Sequence, residues 1–213
     1  PGLMDAATLI GGIQIQGRAT FGGNLCNSAP SGDGIPALIA HNAVCNIAGP
    51  KGSRQLSVEE FCVGPGRNAM DNGEILVSIS VPIPAKGFGS NYQRFIPRNE
   101  MDIAVVGVGT SVVVDDSGTK FESARIALAS VGPTPIFVTE AGEFLAGKEI
   151  NDENIAKAAE MAKNAASPIT DMRGTIDQRK HLVEVFTRRT IVESVSRAKG
   201  LGMNTLWHFE SNS

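Results

Sequence analysis

The strongest constraint on this fold lies past the midpoint of the chain. Residues 103–114 form a long run dominated by β-branched and small side chains, closed by Asp115-Asp116-Ser117-Gly118, and residues 121–131 return. Two such runs about a turn of that composition predict an antiparallel hairpin. The last third of the chain is helical in pattern. Residues 139–146 end at Gly147, and Asn151 or Asp152 caps a helix that carries Ile155, Ala158, Ala159, Ala162 and Ala165 on one stripe. Residues 177–199 repeat Leu182, Val185, Phe186, Val192 and Val195 at helical spacing, with Arg179, Lys180, Arg188, Arg189 and Arg197 on the opposite face, which reads as solvated or, alternatively, as a contact with another subunit. Helices packed on a small antiparallel sheet give an α+β class.

The first part of the chain alternates short helices and strands. Residues 2–10 read as the end of a helix stopped by Gly11-Gly12, after which Ile13 and Ile15 alternate with Gln14 and Gln16. Residues 35–41 form a short helix with Pro36 in its first turn. Residues 43–48 and 53–56 pair about Gly49-Pro50-Lys51-Gly52, and Ser57 to Glu60 has the residue types of a capping box. Residues 75–82 read as a half-buried strand, with Ile75, Val77, Ile79 and Val81 on one face and Leu76, Ser78 and Ser80 on the other. The Pro- and Gly-rich stretch 82–89 marks a boundary, which divides the chain into 1–84, 88–199 and a tail, 200–213, that holds Trp207. Beyond the boundary, Tyr92, Arg94 and Ile96 share one face of a strand.

Several function classes are excluded by composition. The net charge of −3 is spread without a run of like charges, so nucleic acid finds no electrostatic footprint. No apolar stretch is long enough for a spanning helix. Cys26, Cys45 and Cys62 stand far apart, as do His41, His181 and His208, so no spacing suits a metal. Buried thiols in a reducing, cytoplasmic setting are expected. Gly107-Val108-Gly109 lacks the third glycine and the following helix of a dinucleotide fingerprint, and reads as close packing or a bulge.

One stretch carries chemistry: Ala19-Thr20-Phe21-Gly22-Gly23-Asn24-Leu25-Cys26-Asn27-Ser28-Ala29-Pro30-Ser31-Gly32-Asp33. A glycine pair can take backbone angles closed to other residues, and can admit a ligand to the main chain. Free N–H groups there, with a helix start downstream, suit a phosphate or nucleotide. Asn24 can brace the turn, and Asp33 can accept from sugar-like hydroxyls or cap the next helix.

Thr20-Phe21-Gly22-Gly23-Asn24-Leu25, with Asp33 nine positions past Asn24, resembles the second flavin-contacting motif in the FAD subunits of the molybdenum hydroxylases, the xanthine dehydrogenase and carbon monoxide dehydrogenase family. Phe21 replaces the usual Ile. The similarity continues through Gly73-Glu74-Ile75-Leu76-Val77-Ser78-Ile79, Asp102-Ile103-Ala104 and Arg173-Gly174, and spans roughly residues 4–198.

The resemblance implies an oxidoreductase subunit whose cofactor is FAD. Thr20, Phe21, Gly22, Gly23 and Asn24 would line the flavin and diphosphate, Asp33 would bind polyol hydroxyls, and Leu76 and Arg94 would complete the contact. It places molybdopterin in a large partner subunit and iron–sulfur clusters in a small one, in a cytoplasmic heterotrimer, with electrons leaving FAD to NAD, oxygen or a quinone. It also implies that these residues begin partway through a flavin domain, whose first subdomain holds another Gly-rich loop. Two alternatives are a stand-alone flavin reductase on the same fold and a flavin-free scaffold that docks the other subunits.

Overall fold

The strand Val106–Val114 decides the architecture, because nearly every residue along it is buried. In the computed structural model, which describes residues 1–98 and 101–201, the described residues form eight helices and nine strands. The helices are α1 (Gly2–Ala7), α2 (Ile13–Gln16), α3 (Phe21–Asn27), α4 (Gly34–Ala40), α5 (Val58–Phe61), α6 (Thr139–Leu145), α7 (Asp152–Ala165) and α8 (Ile176–Ala198). The strands are β1 (Val44–Gly49), β2 (Gly52–Ser57), β3 (Cys62–Gly64), β4 (Arg67–Asn68), β5 (Ile75–Ser80), β6 (Phe88–Phe95), β7 (Val106–Val114), β8 (Phe121–Ala129) and β9 (Ile136–Phe137). Trp207 and its neighbours lie outside the described residues.

Strands β6-β7-β8-β9 form one antiparallel sheet, with the expected hairpin at its centre. Successive side chains of a strand point to opposite faces, and here both faces are covered. Val106, Val108, Val112 and Val114 join Ile126 and Leu128 in a core with α6, α7 and α8. Gly107, Gly109 and Ser111 turn the other way, toward α4. A Cβ on Gly109 would lie 2.7 Å from the Pro36 carbonyl oxygen, so this glycine admits the helix backbone itself. Ser111 Oγ donates to Ala40 O at 2.6 Å at the other end of α4. The glycine pair of β7 is therefore a packing device, as its sequence context indicated.

The second sheet, β2-β1-β5, is antiparallel, and β1 and β2 turn at Gly49–Gly52. Its core joins Cys45 and Ile47 to Leu25, Ile35, Ile39, Val58 and Phe61. Here β5 departs from the sequence reading. Ile75 and Val77 are 64% and 60% exposed, while Leu76 and Ile79 pack on the core. The cause is a register shift opposite Asn46/Ile47, where Cys45 pairs with Ile79 and Ile47 with Leu76. One extra residue puts positions 76 and 79 on one face instead of 77 and 79.

Two helices also differ from expectation. Residues 13–16 form the single helical turn α2 instead of an alternating segment. In α8 the buried stripe is Arg179, Val183, Phe186, Thr187, Thr190, Ile191, Ser194 and Val195, whereas Val192 is 51% exposed. Small hydroxyl residues occupy the inner face because helix and sheet approach closely: Thr110 Oγ1 and Ser194 Oγ are 2.8 Å apart. Arg179 and Arg197 leave the expected solvated face. Arg179 donates to the carbonyls of Val105 and Ser130 and to Asp171, at 2.7–2.9 Å. Arg197 pairs with Asp5 of α1 at 2.5 Å and donates to Ser90 O at 2.9 Å. Asn151 caps α7 by accepting the Asn154 N–H, and Ile155, Ala158, Ala159 and Ala162 line the buried face, with Ala165 outside it.

Candidate functional site

The glycine motif folds as the start of α3. Thr20 is extended (φ −135°, ψ 153°), and its hydroxyl accepts the Gly23 N–H at 2.9 Å. A threonine in this place satisfies one of the donors that every helix start leaves open. Gly22 and Gly23 are therefore helical, with none of the positive φ seen at Gly11, Gly52 or Gly66. The sequence expectation of an unusual loop backbone is corrected: the Thr20 cap makes helix the more stable conformation. A Cβ on Gly23 would press on Thr20 Oγ1 at 3.1 Å, so that glycine makes room for the cap. Among the described residues, a Cβ on Gly22 would have only Leu76 Cδ2 near it, at 3.9 Å, so the packing has room for a side chain there.

The rest of the motif fixes this turn to the body. Asn24 Oδ1 accepts the Gly34 N–H at 3.0 Å, the brace its amide suggested. The Phe21 ring lies over Gly34, where a Cβ would meet it at 2.9 Å. Asp33 occupies the position before α4, yet its side chain makes no capping bond. Its Oδ1 accepts the Tyr92 hydroxyl at 2.7 Å and its Oδ2 accepts Arg94 at 2.6 Å. The Arg94 and Asp33 side chains are 6% and 9% exposed, and among the described residues Arg94 Nε has no hydrogen-bond partner. Burial raises the Asp33 pKa, opposed by the Tyr92 hydrogen bond and the Arg94 charge.

Seven of the eight residues singled out by sequence thus lie on α3, the start of α4, and β5 beside them. Arg94 comes from β6 and joins them through Asp33. Tyr92 was legible only as a residue on the same strand face as Arg94. Its contact with Asp33 could not be read, because the two lie 59 residues apart.

A cavity of about 400 Å³ opens at the end of the motif, between Pro30-Ser31, Ile103-Ala104 and the segment around Pro168. Ser130 and Arg179 border it, and Ser130 Oγ and Arg179 Nε are buried without a hydrogen-bond partner among the described residues. Ser130 also holds a left-handed backbone (φ 67°), an uncommon state for a residue with a side chain. Sequence reasoning missed this cavity, since Arg179 reads as a solvated residue.

Cys45 lies in the core of the first part, and Cys26 and Cys62 are half-buried against it. Burial raises the thiol pKa of each, and Cys45 reaches about 11. Among the described residues no cluster of His, Cys, Asp and Glu could hold a metal ion. Among them, too, no helix is long and apolar enough to cross a membrane.

Residues 1–84 match the family model of the FAD-binding domain in molybdopterin dehydrogenase, and residues 91–194 match that of the CO dehydrogenase flavoprotein C-terminal domain. The chain is 31% identical over 201 residues to the xanthine dehydrogenase FAD-binding subunit of Escherichia coli O157:H7, covering 94% of this chain and 68% of that one.

The chain belongs to the family of FAD-binding subunits of the molybdenum hydroxylases.

Another relative in this family, the carbon monoxide dehydrogenase medium chain of Afipia carboxidovorans, is 32% identical over 93% of the chain and 68% of its own length. The carbon monoxide dehydrogenase structure from Hydrogenophaga pseudoflava superposes with a TM-score of 0.87 at 29% identity, over 92% of this chain and 68% of that one. Quinoline 2-oxidoreductase from Pseudomonas putida 86 gives 0.79 at 28% identity, covering 92% and 66%. The chain spans about two-thirds of the length of these relatives. Family membership accounts for the mixed helix and antiparallel-sheet architecture and makes FAD the cofactor to test against the site.

Proposed function

We propose that this chain binds FAD on the surface made by Thr20, Phe21, Gly22, Gly23 and Asn24 with Leu76, backed by Asp33 and Arg94. The observation that carries the reading is the bare first turn of α3. Its glycines are helical, so their backbone does not require glycine. Among the described residues a Cβ on Gly22 would make one ordinary contact, with Leu76 Cδ2 at 3.9 Å, which leaves room for a side chain. Close approach of something outside the fold explains a residue that the fold itself leaves free. Leu76 supplies an apolar wall beside it, suited to a flat ring.

In this reading Thr20 and Asn24 hold the turn in place, and Asp33 accepts from cofactor hydroxyls. Arg94 keeps the Asp33 charge compensated inside a nearly enclosed site. The cavity bordered by Ser31, Ser130 and Arg179 offers room for a small acceptor arriving from solvent. When bound, FAD supplies the switch between one- and two-electron chemistry that lets electrons from a partner's iron–sulfur clusters leave to an external acceptor. Residues 1–84 form part of the FAD-binding domain and residues 88–199 the C-terminal domain. A molybdopterin-binding large subunit and an iron–sulfur small subunit complete a cytoplasmic hetero-oligomer.

The test is an equilibrium titration of the full-length subunit with FAD, following flavin fluorescence. Saturable binding at one site per subunit, lost in Gly22→Val, supports the reading. A chain that shows no FAD binding with its partner subunits present would instead be a docking scaffold.

A further inference from the structure

Asp33 sits where two elements meet, and what fixes it comes from β6. Tyr92 and Arg94 are two residues apart on that strand, so both side chains reach the face that carries α4. Tyr92 pairs with Gly109 and Arg94 with Gly107 across the ladder. A Cβ on Gly107 would stand 2.6 Å from the Tyr92 hydroxyl, so the missing side chain at Gly107 is what houses the phenol. Tyr92 is 2% exposed and touches Ala6 and Ala37 in a small cluster of its own. Its hydroxyl donates its proton to Asp33 Oδ1 at 2.7 Å.

We propose that Tyr92 is a positioning residue for the cofactor: its enclosed phenol holds Asp33 as a charged, oriented acceptor at the end of the glycine motif. This rests on the reading that Asp33 belongs to the FAD site. A carboxylate has about four lone-pair positions. Tyr92 and Arg94 take one on each oxygen, which leaves one on each for the hydroxyl groups of a polyol. Through the chain itself the same contact steadies Gly34, whose N–H is held by Asn24 of the motif helix. Gly107, Tyr92, Asp33 and Asn24 thus form one mechanical path from the central strand to the proposed cofactor surface.

Among the described residues, the groups that act on the Asp33 carboxylate are Tyr92 and Arg94, both from β6. The charged residues of the neighbouring helices, Asp5 of α1 and Arg197 of α8, engage each other and the Ser90–Tyr92 part of that strand. Burial pushes the Tyr92 phenol well above its ordinary range, so it stays a neutral donor. Removing its hydroxyl subtracts one of the influences that keep Asp33 ionised and leaves burial less opposed.

The experiment is FAD titration of the full-length subunit, wild type and Tyr92→Phe, from mildly acidic to mildly alkaline pH. Tyr92→Phe should weaken binding roughly tenfold on the acid side, the effect of a lost hydrogen bond to a charged group. It should converge on wild type as pH rises and Asp33 ionises in both. Equal affinity at every pH, or a uniform loss across the range, overturns the proposal. Should Tyr92→Phe fail to fold, Gly107→Ala crowds the phenol without deleting it and should displace the same acid limb; an unmoved limb overturns the proposal. Asp33→Asn separates the two layers of argument. If it binds FAD as tightly as wild type, Asp33 lies outside the site and the assignment beneath this proposal fails, whatever Tyr92 does.

Discussion

Asn24 Oδ1 and the Gly34 backbone N–H, ten residues apart, meet at 3.0 Å and tie the glycine-bearing helix to the start of the next one. The bond fixes the glycine-bearing first turn of α3 to the body. Asn24→Ala should cost about 1–2 kcal/mol of stability, the range for a lost hydrogen bond that leaves a part-buried donor unpaired. FAD affinity should fall with it, because the first turn of α3 loses its anchor. Urea denaturation with parallel FAD titration checks both; unchanged values would show that the brace carries nothing.

Glu74 gives a pH-dependent handle on the β1–β2–β5 sheet. Its carboxylate accepts from Arg54 at 2.7–2.8 Å and from the Asp71 N–H at 2.7 Å. These donors hold its pKa at about 2, below the ordinary 4.5. A folded pKa lowered in this way stabilises the native state above the ordinary value, and that stability drains away as pH falls toward about 2. Glu74→Gln should therefore flatten the acid limb of a stability-against-pH curve. Parallel curves for wild type and variant would refute the assignment.

Gly89 of β6 marks the tightest approach of helix to sheet. A Cβ there would collide with the Ser194 carbonyl and would lie 2.5 Å from the Ala198 N. Backbone cannot give way as a side-chain tip can, so Gly89→Ala should destabilise by about 1–3 kcal/mol, as overpacking does. Thermal melting tests this. A variant as stable as wild type would mean that α8 can slide outward with little strain.

How much of this fold the sequence makes legible depends on which forces are local. The central hairpin, the capped α7 and the Thr20-Phe21-Gly22-Gly23-Asn24 motif are legible, because alternation, capping chemistry and motif spacing are local signals. The inner face of β5 is not. A single-residue bulge opposite Asn46/Ile47 reverses the alternation, and bulges leave no mark in a hydrophobic pattern. The inward turn of Arg179 is equally hidden, since its partners Val105 O and Ser130 O are backbone atoms 74 and 49 residues away. The motif marks Asp33 as a ligand or a cap, but only the fold reveals Tyr92 and Arg94 as its companions.

Gly22→Ala separates a glycine kept for a cofactor from one kept for the fold. Alanine fits the helix better than glycine by about 0.5–1 kcal/mol, so the melting temperature should hold or rise. Among the described residues the added methyl meets only Leu76 Cδ2, at 3.9 Å, so the fold should not object. FAD affinity, measured on the same preparation, should nonetheless fall by roughly tenfold or more as close backbone approach is blocked. A stable variant with impaired FAD binding is the predicted result. A stable variant that binds FAD as tightly as wild type would contradict the account.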